Sequence, residues 1–93
     1  MEIRQSDNGQ RGKFTAFIND KPAGLISYVA TGVGHISLMH TEVSDEFRGQ
    51  NIGKKILDEI VEYARENDII VTPVCPFTQA MFLRHKEYAD VLN

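Results

Sequence analysis

The chain contains one cysteine, three prolines and no tryptophan among its 93 residues. A single cysteine cannot form an internal disulfide, and residues 1–4 contain no apolar run of the kind that forms a signal peptide. These features predict a reduced, cytoplasmic protein. The sequence also lacks any stretch approaching the roughly 18 consecutive apolar residues of a transmembrane helix. We therefore expect no association with a membrane.

Basic tracts are absent as well. The 13 acidic and 10 basic residues are spread along the chain and give a net charge of -3. Nucleic-acid-binding proteins usually carry a basic patch, so nucleic acid is not expected as a partner. With 42% hydrophobic residues, residues 1–93 can form one core but not an additional substrate domain. We expect a single-domain monomer whose active site lies on the core elements.

The first half of the sequence predicts an antiparallel meander of strands. Turn residues at 7–9, 19–24 and 31–34 separate runs rich in Phe, Ile, Val, Thr and Tyr, which favour half-buried strands. The predicted strands are Met1–Ser6, Lys13–Ile18, Gly24–Ala30 and Gly34–Val43.

The second half predicts one β-α-β unit and a final helix. From Asn51 to about Asn67, apolar residues recur with helical spacing, at Ile52, Ile56, Leu57, Ile60, Tyr63 and Ala64. The apolar run Ile69–Cys75 follows directly, so we expect a strand parallel to the fourth one. Pro76 can begin the last helix, with Phe77, Met81 and Leu83 on an imperfect apolar face. The fold class is therefore α+β, with a mixed, mostly antiparallel sheet.

The turn between the fourth strand and the first helix is a candidate phosphate site. Backbone N–H groups at a helix N-terminus have no partners and carry the positive end of the helix dipole. Arg48 and Gly49 precede the helix, and Gly53 lies in its first turn, where glycine costs about 1 kcal/mol of helix propensity. We interpret Gly53 as permitting close approach of a phosphate or a neighbouring strand. A plain loop is the alternative.

Two common phosphate motifs do not fit this turn. In a P-loop, G-x-x-x-x-G-K-[ST], the two glycines are one residue further apart than Gly49 and Gly53, and a hydroxyl stands where Lys55 is. A dinucleotide fingerprint needs G-x-G-x-x-G within a parallel sheet, which the antiparallel first half does not supply.

The string from Val43 to Gly53 resembles the acetyl-CoA signature Q/R-x-x-G-x-G/A of GCN5-related N-acetyltransferases. Arg48 occupies its first position, Gly53 its last, and Asn51 replaces the middle glycine. Asparagine tolerates a positive φ better than most residues, so the loop shape can be retained. The strings at 40–43, 74–77 and 85–88 are similar to those of a minimal, single-domain subfamily, and the resemblance extends from Phe14 to Tyr88.

This resemblance implies a minimal acyl-CoA N-acyltransferase fold that lacks the N-terminal helices shaping the acceptor site in longer members. It implies acetyl-CoA as the donor substrate and an unidentified amine as the acceptor. The residues expected to bind acetyl-CoA are Val43, Arg48, Gly49, Gln50, Asn51, Ile52, Gly53 and Lys54. Glu42 or His40 is the expected base, and Cys75 or Tyr88 the expected donor of a proton to the leaving thiolate.

Several alternatives stay open at this point. Strand alternation places Leu38, His40 and Glu42 on one face, which can be an active-site feature or a solvated strand end. Cys75 can be a nucleophile, a proton donor or a buried core residue. Phe77, Phe82 and Tyr88 are interpreted as packing residues. No metal site is expected, because His35, His40, Cys75 and His85 lack the usual pair spacing.

Two other functions also remain open for this protein. A non-catalytic CoA-binding or sensing module and an interaction domain without any cofactor are the two alternatives to an acetyltransferase.

Overall fold

The structure is a computed structural model that describes residues 1–92 as one α+β domain. Its strands are β1 (Glu2–Asp7), β2 (Arg11–Ile18), β3 (Lys21–Gly32), β4 (His35–Val43) and β5 (Ile70–Pro73), and its helices are α1 (Ile52–Glu66) and α2 (Pro76–Arg84). Short 3₁₀ helices span Asp45–Phe47 and Lys86–Val91. The strands form one sheet in sequence order. β1 to β4 are antiparallel, and β5 is parallel to β4, as predicted.

The turn between β2 and β3 is tighter than the sequence suggested. Asn19 and Asp20 both have positive φ, 51° and 64°, as in the two-residue hairpin turns whose twist matches that of the strands. β3 consequently begins at Lys21 rather than at Gly24. Pro22 is accommodated because it lies near the start of the strand beside a register shift in β2, where a missing N–H is tolerated.

One face of the sheet packs against the helices and forms the core. The buried stripe of α1 contacts side chains of the central strands, and residues of α2 and the C-terminal 3₁₀ helix complete the cluster. Leu83 was expected on the apolar face of α2 but is 73% exposed. The buried positions of α2 are Thr78, Met81 and Phe82 instead. Within residues 1–92, neither helix is both long and apolar enough to cross a membrane.

A β-bulge interrupts β4 at Met39. Two successive residues of β3 pair with Leu38 and His40, so Met39 has no partner of its own. Leu38 and Thr41 therefore point to the helix-covered face, whereas His40 and Glu42 point to the opposite face. The prediction that Leu38 shares a face with His40 and Glu42 was wrong, because strict alternation ignores the inserted residue. No helix within residues 1–92 covers the face with His40 and Glu42.

Candidate functional site

β4 extends beyond the end of β5, and this leaves a gap in the sheet. The two strands pair from His35 and Ile70 to Leu38 and Pro73, and no further. The Leu38 carbonyl then accepts the N–H groups of Val74 and Cys75 at 2.9 and 3.1 Å. The chain turns away from the sheet at this point and begins α2.

The last residues of β4 consequently have a free edge facing the gap. Ser44 N–H donates to the Ala23 carbonyl at 2.9 Å, toward β3. Because hydrogen-bonding direction alternates along a strand, the backbone groups of Thr41 and Val43 point the other way, into the gap. An extended ligand with amide groups can pair with this edge.

The loop before α1 contains two residues in the left-handed region of backbone conformation. Gly49 has a φ of 84°, and Asn51 has a φ of 58° and a ψ of 34°. The expectation that asparagine supports the left-handed conformation of the missing glycine is thus confirmed. Lys55 N–H donates to the Asn51 carbonyl at 3.0 Å. The N–H groups of the three preceding residues, 52–54, have no carbonyl acceptor within the helix.

The three residues that carry these N–H groups line a cavity of about 490 Å³ between the loop, α1 and α2. Seven of the eight predicted cofactor residues line it, and only the exposed Gln50 does not. The first turn of α1 has no acidic residue, and the cavity lining includes no carboxylate although the chain is acidic overall. Its ionisable lining side chains are Arg48, Lys54, Arg84 and His85, and we refer to it as the cationic cavity. Such a site favours a bound anion.

Arg84 and His85 were missed by the sequence reasoning. Phe77, Met81 and Arg84 are spaced i, i+4 and i+7, which places them on one face of α2. That spacing was a usable signal. What it could not show is that this face of α2 packs beside the N-terminus of α1.

The two cations predicted from the sequence form ion pairs that a ligand can replace. Arg48 Nε lies 2.8 Å from Asp45 Oδ1, and Lys54 Nζ lies 3.2 Å from Asp58 Oδ2. The four side chains are between 36% and 88% exposed. Exposed pairs of this kind contribute about 0–1 kcal/mol, so exchanging a carboxylate for a phosphate costs little.

The space beside Gly53 is occupied by an aromatic ring. A Cβ at this position would lie 2.6 Å from Phe77 Cζ and 3.0 Å from Cε2. The group that approaches the first turn of α1 is thus a side chain of α2 and not the neighbouring strand that was one expectation; the approach of a phosphate stays a prediction. Phe77 is 36% exposed and lines the cavity, so it is less a core residue than Phe82 and Tyr88.

Cys75 lies at the N-cap of α2 and is 8% exposed. Its Sγ is 3.3 Å from Thr41 Oγ1 and 3.1 Å from Thr78 Oγ1. Burial by itself raises the pKa of the thiol, but hydrogen bonds from Thr41, Thr78 and the backbone N–H groups of Thr78 and Phe77 outweigh it and lower the pKa below its ordinary value. The predicted N-cap position is confirmed.

Glu42 and His40 lie on the other side of the sheet from Cys75. Their side chains are exposed, with His40 Nε2 3.4 Å from Glu42 Oε1. Glu42 lines a second depression of about 520 Å³ on the uncovered face, beside Leu25. This depression meets the cationic cavity at Val43 and Arg48, which line both. The structure therefore places the candidate base and the thiol on opposite faces of β4, near its free end.

Tyr88 is buried, and both its hydroxyl and its ring have partners. Its hydroxyl donates a hydrogen bond to Asp58, the carboxylate that also binds Lys54. Burial and this hydrogen bond raise the pKa of Tyr88. Its ring packs edge-on against Phe82, with centroids 5.5 Å apart. These contacts suit a packing role, one of the two roles expected for Tyr88; the role of proton donor stays a prediction. Within residues 1–92, no three His, Cys, Asp or Glu side chains converge on a point that can hold a metal ion.

The fold matches those of known proteins. A solution structure of a GCN5-like protein from Staphylococcus aureus has a TM-score of 0.77 and 35% identity, covering 99% of this chain and 87% of that one. An aminoglycoside N-acetyltransferase in complex with CoA has a TM-score of 0.67 at 10% identity, covering 89% and 88%. That low identity shows a shared fold only.

Sequence comparison agrees with the structural one. Protein NATD1 of Xenopus tropicalis is 31% identical over 80 residues, which are 83% of this chain and 72% of that protein. The model of the GCN5-related N-acetyltransferase family matches residues 13–91. That span contains the loop before α1, the gap between β4 and β5, and both helices, so the chain belongs to the GCN5-related N-acetyltransferase family.

Proposed function

We propose that this protein is a cytoplasmic, monomeric N-acetyltransferase that moves an acetyl group from acetyl-CoA to an amine. The observation that carries the proposal is the cationic cavity at the N-terminus of α1, which opens onto the free edge of β4. It combines unpaired N–H groups, Arg48 and Lys54 with an edge that can accept an extended amide-containing arm.

The donor fits this arrangement along its length. The pyrophosphate binds the N–H groups of residues 52–54 with Arg48 beside it. The amides of the pantetheine arm pair with the backbone groups of Thr41 and Val43. The thioester then lies near Cys75, where β4 and β5 part. The aminoglycoside acetyltransferase that shares this fold was solved with CoA, which supports the same class of donor.

The transfer itself needs two proton movements. The acceptor nitrogen must be neutral to attack the acetyl carbonyl carbon; a C–N bond then forms and the C–S bond breaks, releasing the CoA thiolate. Glu42 lines the depression that joins the cavity at Val43 and Arg48, and we assign it the role of the base that takes the amine proton, with His40 beside it. Cys75 is the better placed donor to the thiolate, since the Tyr88 hydroxyl already donates to Asp58.

Titration with acetyl-CoA followed by amide NMR tests the cofactor site. We expect shifts concentrated in residues 44–54 and at the start of α2. Arg48→Ala is expected to weaken binding by about tenfold, which is about 1.4 kcal/mol, with a smaller loss at high salt because ions screen the contact.

Lys55→Ala is the matched control. It removes one positive charge from the same end of α1, but Lys55 is exposed and does not line the cavity. Equal, small effects of both substitutions would show that the pyrophosphate binds elsewhere. An absence of amide shifts at saturating acetyl-CoA would leave an interaction domain as the remaining function.

One observation favours a second candidate, a non-catalytic CoA-binding or sensing module. No helix within residues 1–92 covers the face that bears Glu42, whose side chain is 64% exposed. An acceptor bound there would contact the sheet but no helix of residues 1–92. Incubation of the protein and acetyl-CoA with a cell extract, followed by a mass-spectrometric search for acetylated amines, separates the two: a product identifies the enzyme, and binding without product identifies the module.

A further inference from the structure

Arg84 lies at the proposed cofactor site but is not among the residues proposed to bind the pyrophosphate. It lies in the last turn of α2, is exposed and lines the cationic cavity. Arg48 and Lys54 each pair with a carboxylate. The Arg84 guanidinium makes neither an ion pair nor a side-chain hydrogen bond with the residues of the described part of the chain.

The position of Arg84 separates it from the pyrophosphate site. Phe77 packs against Gly53 at the first turn of α1, where the unpaired N–H groups lie. Arg84 is seven residues further along the same face of α2, and at 1.5 Å per residue this is about 10 Å along the helix axis. His85 follows Arg84 and lines the same end of the cavity, with its Nδ1 3.5 Å from Glu87 Oε2, so the fixed positive charge at this end is that of Arg84. The cavity therefore has two positive regions, one at the loop and one at the end of α2.

A ligand that uses both regions carries two separate anionic groups. Acetyl-CoA has the pyrophosphate and, beyond it, a phosphate on the 3′ position of the ribose. A guanidinium presents a planar fork of donors that matches phosphate oxygens, and it retains its charge at any physiological pH.

Resting on the proposed function, we infer that Arg84 binds the 3′-phosphate of the donor. The site then selects free CoA thioesters over donors that lack this group. The excluded donors are 3′-dephospho-CoA thioesters and the phosphopantetheine arm of an acyl carrier protein, which has no 3′-phosphate.

Calorimetric titration of the intact chain with CoA and with 3′-dephospho-CoA at low salt tests this assignment. We expect the wild type to bind CoA about tenfold more tightly, the effect of one charge-assisted contact. In Arg84→Gln, the two affinities should become equal through loss of CoA affinity, while the affinity for 3′-dephospho-CoA stays unchanged. Because Arg84 is exposed, the substitution is not expected to affect folding, which circular dichroism checks.

Lys86→Gln is the control. It removes a positive charge two residues away, from an exposed side chain that does not line the cavity, and it should leave the tenfold preference intact. Equal binding of the two nucleotides by the wild type, or a preference that persists in Arg84→Gln, would overturn the assignment while leaving acetyl-CoA binding in place. Binding of neither nucleotide would instead overturn the proposed function, and this inference with it.

Discussion

The contact between Gly53 and Phe77 allows a sharp test of why a glycine stands in the first turn of α1. In Gly53→Ala, the new Cβ would lie 2.6 Å from Phe77 Cζ, 3.0 Å from Cε2 and 3.3 Å from Cε1. Favourable carbon–carbon contacts lie at about 3.5–4.0 Å, so the ring has to move by about 1 Å. Phe77 is 36% exposed, and the open direction is the cationic cavity.

Two opposing contributions determine the stability of this variant. Replacing glycine by alanine in a helix gains about 1 kcal/mol of propensity, whereas overpacking costs about 1–3 kcal/mol if the ring cannot yield. Because the ring is partly exposed, we expect the free energy of unfolding in urea to change by about 1 kcal/mol or less. The displaced ring enters the cavity, and acetyl-CoA affinity should fall by about tenfold.

The same substitution in a Phe77→Ala background removes the clash. There, Gly53→Ala should stabilise the protein by about 1 kcal/mol and leave acetyl-CoA affinity unaffected. Gly49→Ala is the matched control, since a Cβ at Gly49 meets no atom within 4 Å and its φ is 84°. Its cost is backbone strain of about 1–2 kcal/mol, which should be the same in both backgrounds.

Calorimetric titration with acetyl-CoA and urea unfolding of the four Gly53 and Phe77 combinations provide the measurements. If Gly53→Ala weakens acetyl-CoA binding equally with and without the Phe77 ring, the phosphate itself needs the bare backbone at Gly53, and the packing explanation is refuted.

The remaining predictions concern the candidate catalytic side chains. Glu42→Gln should lower turnover by about 10²-fold without changing acetyl-CoA affinity, measured once an acceptor is found; unchanged turnover would assign the base to His40 or to no residue. Iodoacetamide should alkylate Cys75 with a pH midpoint below the usual value of about 8.5, because its thiolate forms at lower pH, and acetyl-CoA should protect it. An acetyl adduct in intact mass, lost in Cys75→Ala, would identify a covalent route, whereas the reactivity of an ordinary thiol without protection would leave Cys75 a packing residue. Tyr88→Phe should reduce the free energy of unfolding by about 1 kcal/mol, since it removes the hydrogen bond to Asp58, and should leave turnover within a few-fold; a 10²-fold loss of turnover would make Tyr88 the proton donor.

The sequence by itself determined the order and type of the elements. Turn residues and the runs rich in β-branched and aromatic residues between them predicted four antiparallel strands, and helical spacing after Asn51 predicted α1 to within a residue at each end. These features are local, because a side chain's face follows from its position in a regular repeat. The loop before α1 was predictable for a similar reason, since Gly and Asn are the residue types that best tolerate the left-handed conformation seen at Gly49 and Asn51.

Only the tertiary structure decided what surrounds that loop. The inserted residue at Met39 reverses the side-chain faces of β4, and no alternation pattern reveals it because a bulge depends on pairing with β3. It places His40 and Glu42 across the sheet from Cys75. Arg84 and the Phe77 ring reach the cavity because α2 packs beside α1. A contact between residues about 25 to 30 positions apart depends on how the helices pack in three dimensions, and the spacing of residues within either helix does not contain that information.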